Sequence, residues 1–433
     1  MALGGGKFLT QNKVLPGAYM NFVSVAKATA NLSERGVVAI PTTLGLWDEG
    51  TVKTITTADF QKNSLELFGY GYTADSLAPL RDLFLNVSKV HMYKLPTNDG
   101  VKAESSFGSA NVSGLIGNSI KLNVLETDVD GETHYTIETY YNNALVYTNV
   151  IDPNNIVPIT NEYWTMKDSI DSWTTGWVEF SGGVDGTVTA ESYQSFLDVI
   201  ESYSFNIVAL PSADETLKGL FATWTKRMRD EVGAKFQTVL HKYEKADYEG
   251  VISVDNNESP ELVYYVAGAE AGCAVNKSLT NSKYMGEFEI DTNYTQTELE
   301  DCLKSGKLVF HKVGDEVRIL EDINTYVSFT EEKSEDFASN QTIRVLDQIG
   351  NDIATLFADK YLGKIPNDAS GRISLWNDIV KHHQELENLR AIENFNPDTL
   401  KVEQGDHKKA VVVTDYVTPV NAMAQLYMTV YVQ

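Results

Sequence analysis

The segment Gln425-Leu-Tyr-Met-Thr-Val-Tyr-Val432 constrains this chain more than any other. As an extended strand it places Leu426, Met428, Val430 and Val432 on one face and Tyr427 and Tyr431 on the other, so neither face suits water. A lone strand cannot satisfy its own N–H and C=O groups, and an apolar one left unpaired is an aggregation liability. The opposite end repeats the problem. After Leu15-Pro16-Gly17, the stretch Ala18 to Val25 carries Tyr19 and Val23 on one face and Met20 and Phe22 on the other. Both ends therefore read as strands that need a sheet from elsewhere.

Charge narrows the function. The 433 residues hold 35 Lys and Arg against 60 Asp and Glu, a net of −25. Such a chain repels phosphate backbones and anionic lipid, which argues against nucleic acid as a partner and against membrane insertion. No run approaches the roughly 20 apolar residues of a membrane span. Met1 to Thr10 has no apolar signal-peptide core, so the chain is expected to fold in the cytoplasm. Two cysteines, Cys273 and Cys302, make neither a disulfide framework nor a multi-cysteine metal site and read as reduced, buried thiols.

Charge also marks a boundary. Residues 1–100 are nearly balanced, with 9 basic and 8 acidic side chains, whereas residues 101–190 carry 3 and 12. The change falls at Pro96-Thr-Asn-Asp-Gly100, a turn-rich run. Before it, Arg35 to Pro41 reads as a buried strand, Phe60 to Phe68 as a helix capped from Thr57-Ala-Asp59, and Ser88 to Leu95 as a strand. A second helix is capped by Asp75, with a stripe of Leu77, Leu80, Phe84 and Leu85. After it, Ser119–Thr127, His134–Tyr141 and Ala144–Val150 are strands separated by Asp130-Gly131 and Asn142-Asn143, residues that tolerate the positive φ of tight hairpins. Alternation of strands and helices returns at 190–330. Strands are expected at Phe205–Leu210, Gln237–Lys242 and Val251–Val254, helices at Asp214–Val232 and Pro260–Val275, and a hairpin at Gly314-Asp315. Two long helices, Glu335–Tyr361 and Ser370–Ile392, and a strand in Ala410–Val417 complete the chain. The fold class is α/β plus β. An N-terminal arm (1–34) precedes an α/β domain in two parts (35–97 and 188–330), interrupted by an inserted β-sandwich (98–187). A C-terminal α+β domain (331–433) ends in a strand arm.

No active site assembles from the candidate residues. The seven histidines are scattered and no Gly-x-Ser-x-Gly elbow is present. His383 and Glu387 lie four apart on a helix but lack a third metal ligand, so a solvated helix face accounts for them better. Asp128, Asp130 and Glu132 lack the later bidentate acid of a calcium loop. Gly4-Gly-Gly-Lys7 lacks the rest of a phosphate loop, and Gly182-Gly-Val-Asp-Gly186 does not match a dinucleotide fingerprint. The chain is expected to be no enzyme, with no cofactor and no metal.

Several segments, in order along the whole chain, resemble one family. They are Leu15-Pro-Gly-Ala-Tyr-Met-Asn-Phe22, Ser33-Glu-Arg-Gly-Val-Val-Ala-Ile40, Asp59-Phe60 with Phe68-Gly69, Phe180 through Gly186, and the terminal Gln425–Val432. Together they resemble the contractile tail sheath proteins of phages and phage-tail-like particles such as R-type bacteriocins, in the Gram-positive branch with an inserted β-sandwich. The resemblance implies a subtilisin-like α/β domain without protease chemistry. It implies that the arms (Tyr19, Met20, Phe22, Val23; Leu426, Tyr427, Met428, Val430, Tyr431, Val432) add strands to a neighbouring copy, on a receiving sheet that includes Val411, Val412, Val413 and Tyr416. An arm of ~23 residues reaches at most roughly 75 Å. Partners would be other copies in helically stacked hexameric rings, an inner tail tube, and baseplate and terminator proteins. The sheath would assemble in the bacterial cytoplasm, then leave in a virion or bacteriocin and drive the tube through an envelope by contracting. Within 370–392, Arg372, Lys381, His382, His383 and Arg390 form a local basic set, read as a tube-facing helix. The alternative is a non-assembling subtilisin-like hydrolase or a surface-binding protein, which would survive loss of both arms as a monodisperse globule.

Overall fold

The structure is a computed structural model that describes residues 32–432. Its N-terminal strand β1 (Val37–Thr42) is buried almost throughout, as a run of Val-Val-Ala-Ile must be. Strand β2 (Val52–Thr56) leads into helix α1 (Thr57–Phe68), where Thr56 is the N-cap in a reciprocal capping box with Asp59 and Gly69 ends the helix at φ 75°. Helix α2 (Ala78–Phe84) follows a short 3₁₀ turn. Asp75 opens that turn without a side-chain cap bond, and Leu77, Leu80, Leu83 and Phe84 are buried while Leu85 is exposed. The expected stripe is therefore shifted: Leu83 replaces Leu85. Strand β3 (Lys89–Lys94) closes this part.

The chain then enters a region of two sheets. Strands β4 (Lys102–Glu104), β5 (Gly108–Ser113), β6 (Ile120–Val129), β7 (Glu132–Tyr141), β8 (Ala144–Ile151), β9 (Trp164–Met166) and β10 (Gly176–Glu179) form a four-stranded sheet, β10-β6-β7-β8, and a three-stranded one, β4-β5-β9. One core joins them, with Phe107, Val112, Leu122, Val124, Ile137, Trp164 and Phe180 all buried. The Trp164 indole donates to Thr139 Oγ1 at 3.0 Å, so its polar edge is satisfied inside that core. The two hairpin turns are as read, with positive φ at Asp130, Gly131, Asn142 and Asn143. Entry and exit run side by side: Asn98 bridges Thr187, Val101 bridges Val184 and Glu104 bridges Ser181, all antiparallel.

Beyond this region come α3 (Ala190–Ile200), β11 (Ile207–Leu210), α4 (Glu215–Arg227), β12 (Gln237–His241), β13 (Val251–Val254), α5 (Leu262–Gly272), α6 (Gln296–Lys304) and β14 (Lys307–Leu308). The main sheet is seven-stranded, in the order β14-β13-β12-β11-β1-β3-β2; every pair is parallel except β2 with β3. Strands from both sides of the inserted region thus complete one sheet, flanked by two apolar cores. Helix α5 packs on α2 through Gly268 and Gly272, where an added Cβ would collide with the Leu83 and Asn86 carbonyls. Strands β15 (Phe310–Val313) and β16 (Glu316–Ile319) are the hairpin expected at Gly314.

Helix α7 (Asn340–Leu356) is unusual in what it buries. Asn340, Gln341, Thr342, Arg344, Asp347 and Gln348 are all inaccessible. Arg344 bonds Glu270 at 2.6 Å and Asp322 at 3.2 Å, and Arg229 makes a two-pronged pair with Asp347 at 2.7 and 2.8 Å. Burial, reinforced by the Asp322 carboxylate and opposed by Arg344, pushes Glu270 up to about 8. Helix α8 (Ala369–Asn388) starts one residue before the expected Ser370, and Asp368 rather than Ser370 accepts from the first turn, at Gly371 N. The last strands are β17 (Ile392–Glu393), β18 (Lys401–Gln404), β19 (Val411–Thr414) and β20 (Thr418–Pro419), paired β17-β20 and β18-β19.

The described residues divide into two compact units. The larger holds Ser33–Asn351, Leu386–Asn394 and residues 417–432; the smaller holds Leu32, Asp352–Glu385 and Phe395–Tyr416.

Candidate functional site

The C-terminal segment leaves the larger unit through a well-bonded root. β20 pairs with β17, Val420 N donates to Ala391 O at 3.0 Å, and Val420 O accepts from Gln341 Nε2 at 2.9 Å. From Met423 onward the described chain joins no ladder and lies open to solvent. Leu426, Tyr427 and Tyr431 are 86%, 88% and 87% exposed, and Met428, Val430 and Val432 are exposed as well. Apolar side chains in such a row carry a large unrealised burial, roughly 1.5–3 kcal/mol for each that becomes fully covered. The N-terminal candidates Tyr19, Met20, Phe22 and Val23 lie outside the described residues.

The smaller unit presents a two-stranded antiparallel sheet. Val411 and Val412 of β19 face Gln404 and Glu403 of β18, and Val413 faces Val402. Val412, Val413 and Tyr416 are exposed, while Val411 is half-buried on a small core with Leu356, Tyr361, Leu375, Ile379 and Leu400. Among the described residues neither outer edge of this sheet is paired, so two rows of backbone groups remain open. Val411 also lines a cavity of about 470 Å³ with Phe357, Tyr361, Arg372 and Lys408.

The basic set expected on the tube-facing helix is not one surface. Arg372 is half-buried in the first turn of α8, its guanidinium bonded to Asn367 Oδ1 at 2.9 Å. Lys381 is exposed nine residues later, half a turn round from Arg372 at 100° per residue. Arg390 lies beyond the helix end, at φ 61°. His382 and His383 are fully buried: His382 Nε2 meets Asp352 Oδ2 at 3.0 Å, His383 Nε2 meets Asp415 Oδ2 at 2.6 Å, and their Nδ1 atoms are 3.2 Å apart. The two histidines tie α8 to Asp352 of α7 and to Asp415 after β19, and are not available to a partner. Their place on an otherwise polar stretch of helix gave no sign of this, because both carboxylates come from distant segments.

Of the remaining histidines, His91 and His241 are buried. His91 is buried against Thr54 Oγ1 at 2.8 Å, and burial lowers the pKa of both His91 and His241. Cys273 and Cys302 are free and buried; burial pushes Cys273 up to about 11 and raises Cys302, so neither favours the reactive thiolate. Among the described residues no three His, Cys, Asp or Glu side chains are grouped to hold a metal ion. No described helix is long and apolar enough to cross a membrane.

Known proteins supply the context for these surfaces. The family profile for the phage tail sheath protein central domain matches residues 186–325, and that for the phage tail sheath C-terminal domain matches residues 332–433. Phage-like element PBSX protein XkdK of Bacillus subtilis (strain 168) is 30% identical over 99% of this chain and 100% of its own length. The chain belongs to the phage tail sheath protein family. The crystal structure of the sheath tail protein from Desulfitobacterium hafniense agrees, with a TM-score of 0.81 and 30% identity over 94% of this chain and 97% of that one. The helical sheath of the anti-feeding prophage in its contracted state shares the fold, with a TM-score of 0.58 at 12% identity over 97% of this chain and 99% of that one. This sheath-family chain is a structural protein and not an enzyme.

Proposed function

We propose that the chain is the subunit of a contractile sheath that polymerises helically around an inner tail tube, each copy lending its terminal segments to the sheets of its neighbours. The exposed, wholly uncharged run 421–432 carries this reading. It offers a strand's worth of backbone donors and acceptors and a row of apolar side chains, and the β18–β19 sheet of another copy offers open edges to receive them. Main-chain pairing is indifferent to side-chain register with the rest of the body. It can therefore hold copies together while the globular surfaces exchange one set of contacts for another. An extended sheath of this kind is metastable, and summing a small preference per copy over many copies makes contraction irreversible.

In this reading residues 1–34 and 418–433 are the arms, 35–97 with 188–330 a subtilisin-like domain without its protease chemistry, and 331–433 the domain nearest the tube. The acidic insertion 98–187 faces outward. The partners are further copies in stacked rings, the tube, the baseplate and the terminator. The subunit assembles in the bacterial cytoplasm and leaves it in a particle.

Truncation tests it. Removing residues 423–433, which lie beyond the last bonds to the body, should leave a folded subunit with unchanged thermal melting that forms no tubes or rings by electron microscopy and sediments as a monomer. Tubes from the truncated chain, indistinguishable from those of the full chain, would rule the reading out.

A further inference from the structure

We propose that helix α7 is a common anchor for both terminal arms, and that Gln341 and Gln348 are the residues that fix the arms' geometry relative to each other. The inference rests on the assembly reading for its use, but its evidence is a set of bonds within the larger unit.

Gln341 is 3% exposed and makes two bonds to the root of the C-terminal arm: its Nε2 donates to Val420 O at 2.9 Å, and its Oε1 accepts from Ala422 N at 2.9 Å. The side chain thus imitates a neighbouring strand at the point where pairing with β17 ends. Asn421 adds contacts from its Oδ1 to Thr342 Oγ1 at 3.2 Å and Ser339 Oγ at 3.4 Å. Two turns along, Gln348 is 4% exposed, and its Nε2 donates to Ser33 Oγ at 2.8 Å and Ser33 O at 3.2 Å. Ser33 follows Leu32, the first described residue. Arg35 secures the same root from the other side, its Nε donating to Cys273 O at 3.0 Å.

Residues seven apart on an α-helix lie within about 20° of one another and ~10.5 Å apart along the axis. The two roots therefore attach to one face of one helix. Burying amides there is costly unless their polar groups are met, and the groups that meet the Gln341 amide and Gln348 Nε2 belong to the two roots. The helix itself cannot slip, because Arg344, between the two glutamines, is locked to Glu270, Asp322 and Lys277 O. In an assembled sheath, load arriving through one arm would pass to the other through two turns of helix. It would bypass the body's surface contacts, which contraction must rearrange.

The test reads arm geometry in the unassembled full-length chain. Spin labels are placed at Glu34→Cys and Met423→Cys, both exposed, in a background with Cys273→Ala and Cys302→Ala. Pulsed dipolar spectroscopy should give one narrow distance distribution. In Gln341→Ala with Gln348→Ala its width should roughly double while circular dichroism is unchanged, because bonds that order flexible chain are lost. Asn421→Ala, an exposed change on the arm side that leaves the helix intact, should broaden it by less. Should the double variant fail to fold, this second variant decides alone. A distribution as narrow as that of the parent in folded variants would overturn the proposal. The readout needs no polymer, so its failure is separate from failure of the assembly reading. A merely stabilising role for the glutamines would lower the melting temperature and leave the width unchanged.

Discussion

Glu270 is an acid whose chemistry departs far from its ordinary behaviour. It is fully buried, receives Arg344 at 2.6 Å and Asn340 Nδ2 at 3.1 Å, and stands beside Asp322. Its affinity for a proton is higher folded than unfolded, rising from 4.5 to about 8. The folded state therefore binds more protons than the unfolded state between these values. The stability this site contributes is complete below about pH 4.5 and is lost as pH climbs toward 8, by at most about 1.4 kcal/mol per pH unit. Glu270→Gln keeps the shape and cannot ionise, so urea unfolding of parent and variant should diverge across this window. The parent should lose stability relative to the variant as pH rises, and a difference independent of pH would refute the assignment. None of this was legible in the sequence. Glu270 lies in the helix expected at Pro260–Val275, and its partners are 52 and 74 positions away. His382 and His383 repeat the lesson, since adjacency in an acidic chain says nothing about which carboxylates will close over them.

At the scale of elements, local chemistry was the part that could be read in advance. Asp130-Gly131 and Asn142-Asn143 adopt positive φ because few other residues do so cheaply, and Val251–Val254 is a strand because it is short, β-branched and bounded by turns. Helices α3 and α6 were missed, although Thr295-Gln-Thr-Glu298 is a capping box whose Thr295 Oγ1 accepts from Glu298 N. Strand β18 was missed because four alternating residues become a strand only when β19 arrives. The glycines of α5 needed the tertiary structure too: they admit the carbonyls of Leu83 and Asn86. Gly268→Ala or Gly272→Ala should cost about 1–3 kcal/mol by forcing α5 off α2. Thermal melting checks this, and an unchanged transition would show that the interface can yield.

At the scale of the molecule, the two-sheet region and the charge make separate predictions. Entry and exit strands of the insertion pair at Asn98–Thr187, so its ends are adjacent, and its core is largely its own. Residues 97–188 expressed alone should unfold cooperatively in urea; a non-cooperative, dye-binding state would show that Leu46 and Leu65, which pack on that core from outside, are indispensable. A net charge of −25 on every copy opposes association until salt screens it. Tube formation followed by light scattering should therefore quicken between about 20 mM and about 300 mM monovalent salt. Slower assembly at the higher concentration would mean that specific ion pairs, and not repulsion, govern the encounter.

From the amino-acid order alone came the family, the interruption of the α/β region near Gly100, the lack of a recognisable catalytic motif and the anomaly of an apolar C-terminal segment. Each is a local pattern of side-chain type, and such patterns survive without knowing where the chain goes. Only the three-dimensional arrangement decided that the basic set on α8 is no single face, that two of its members are buried, and that α7 holds the roots of both chain ends. Those outcomes depend on which distant segments meet, and burial turns a polar side chain from a surface group into a joint.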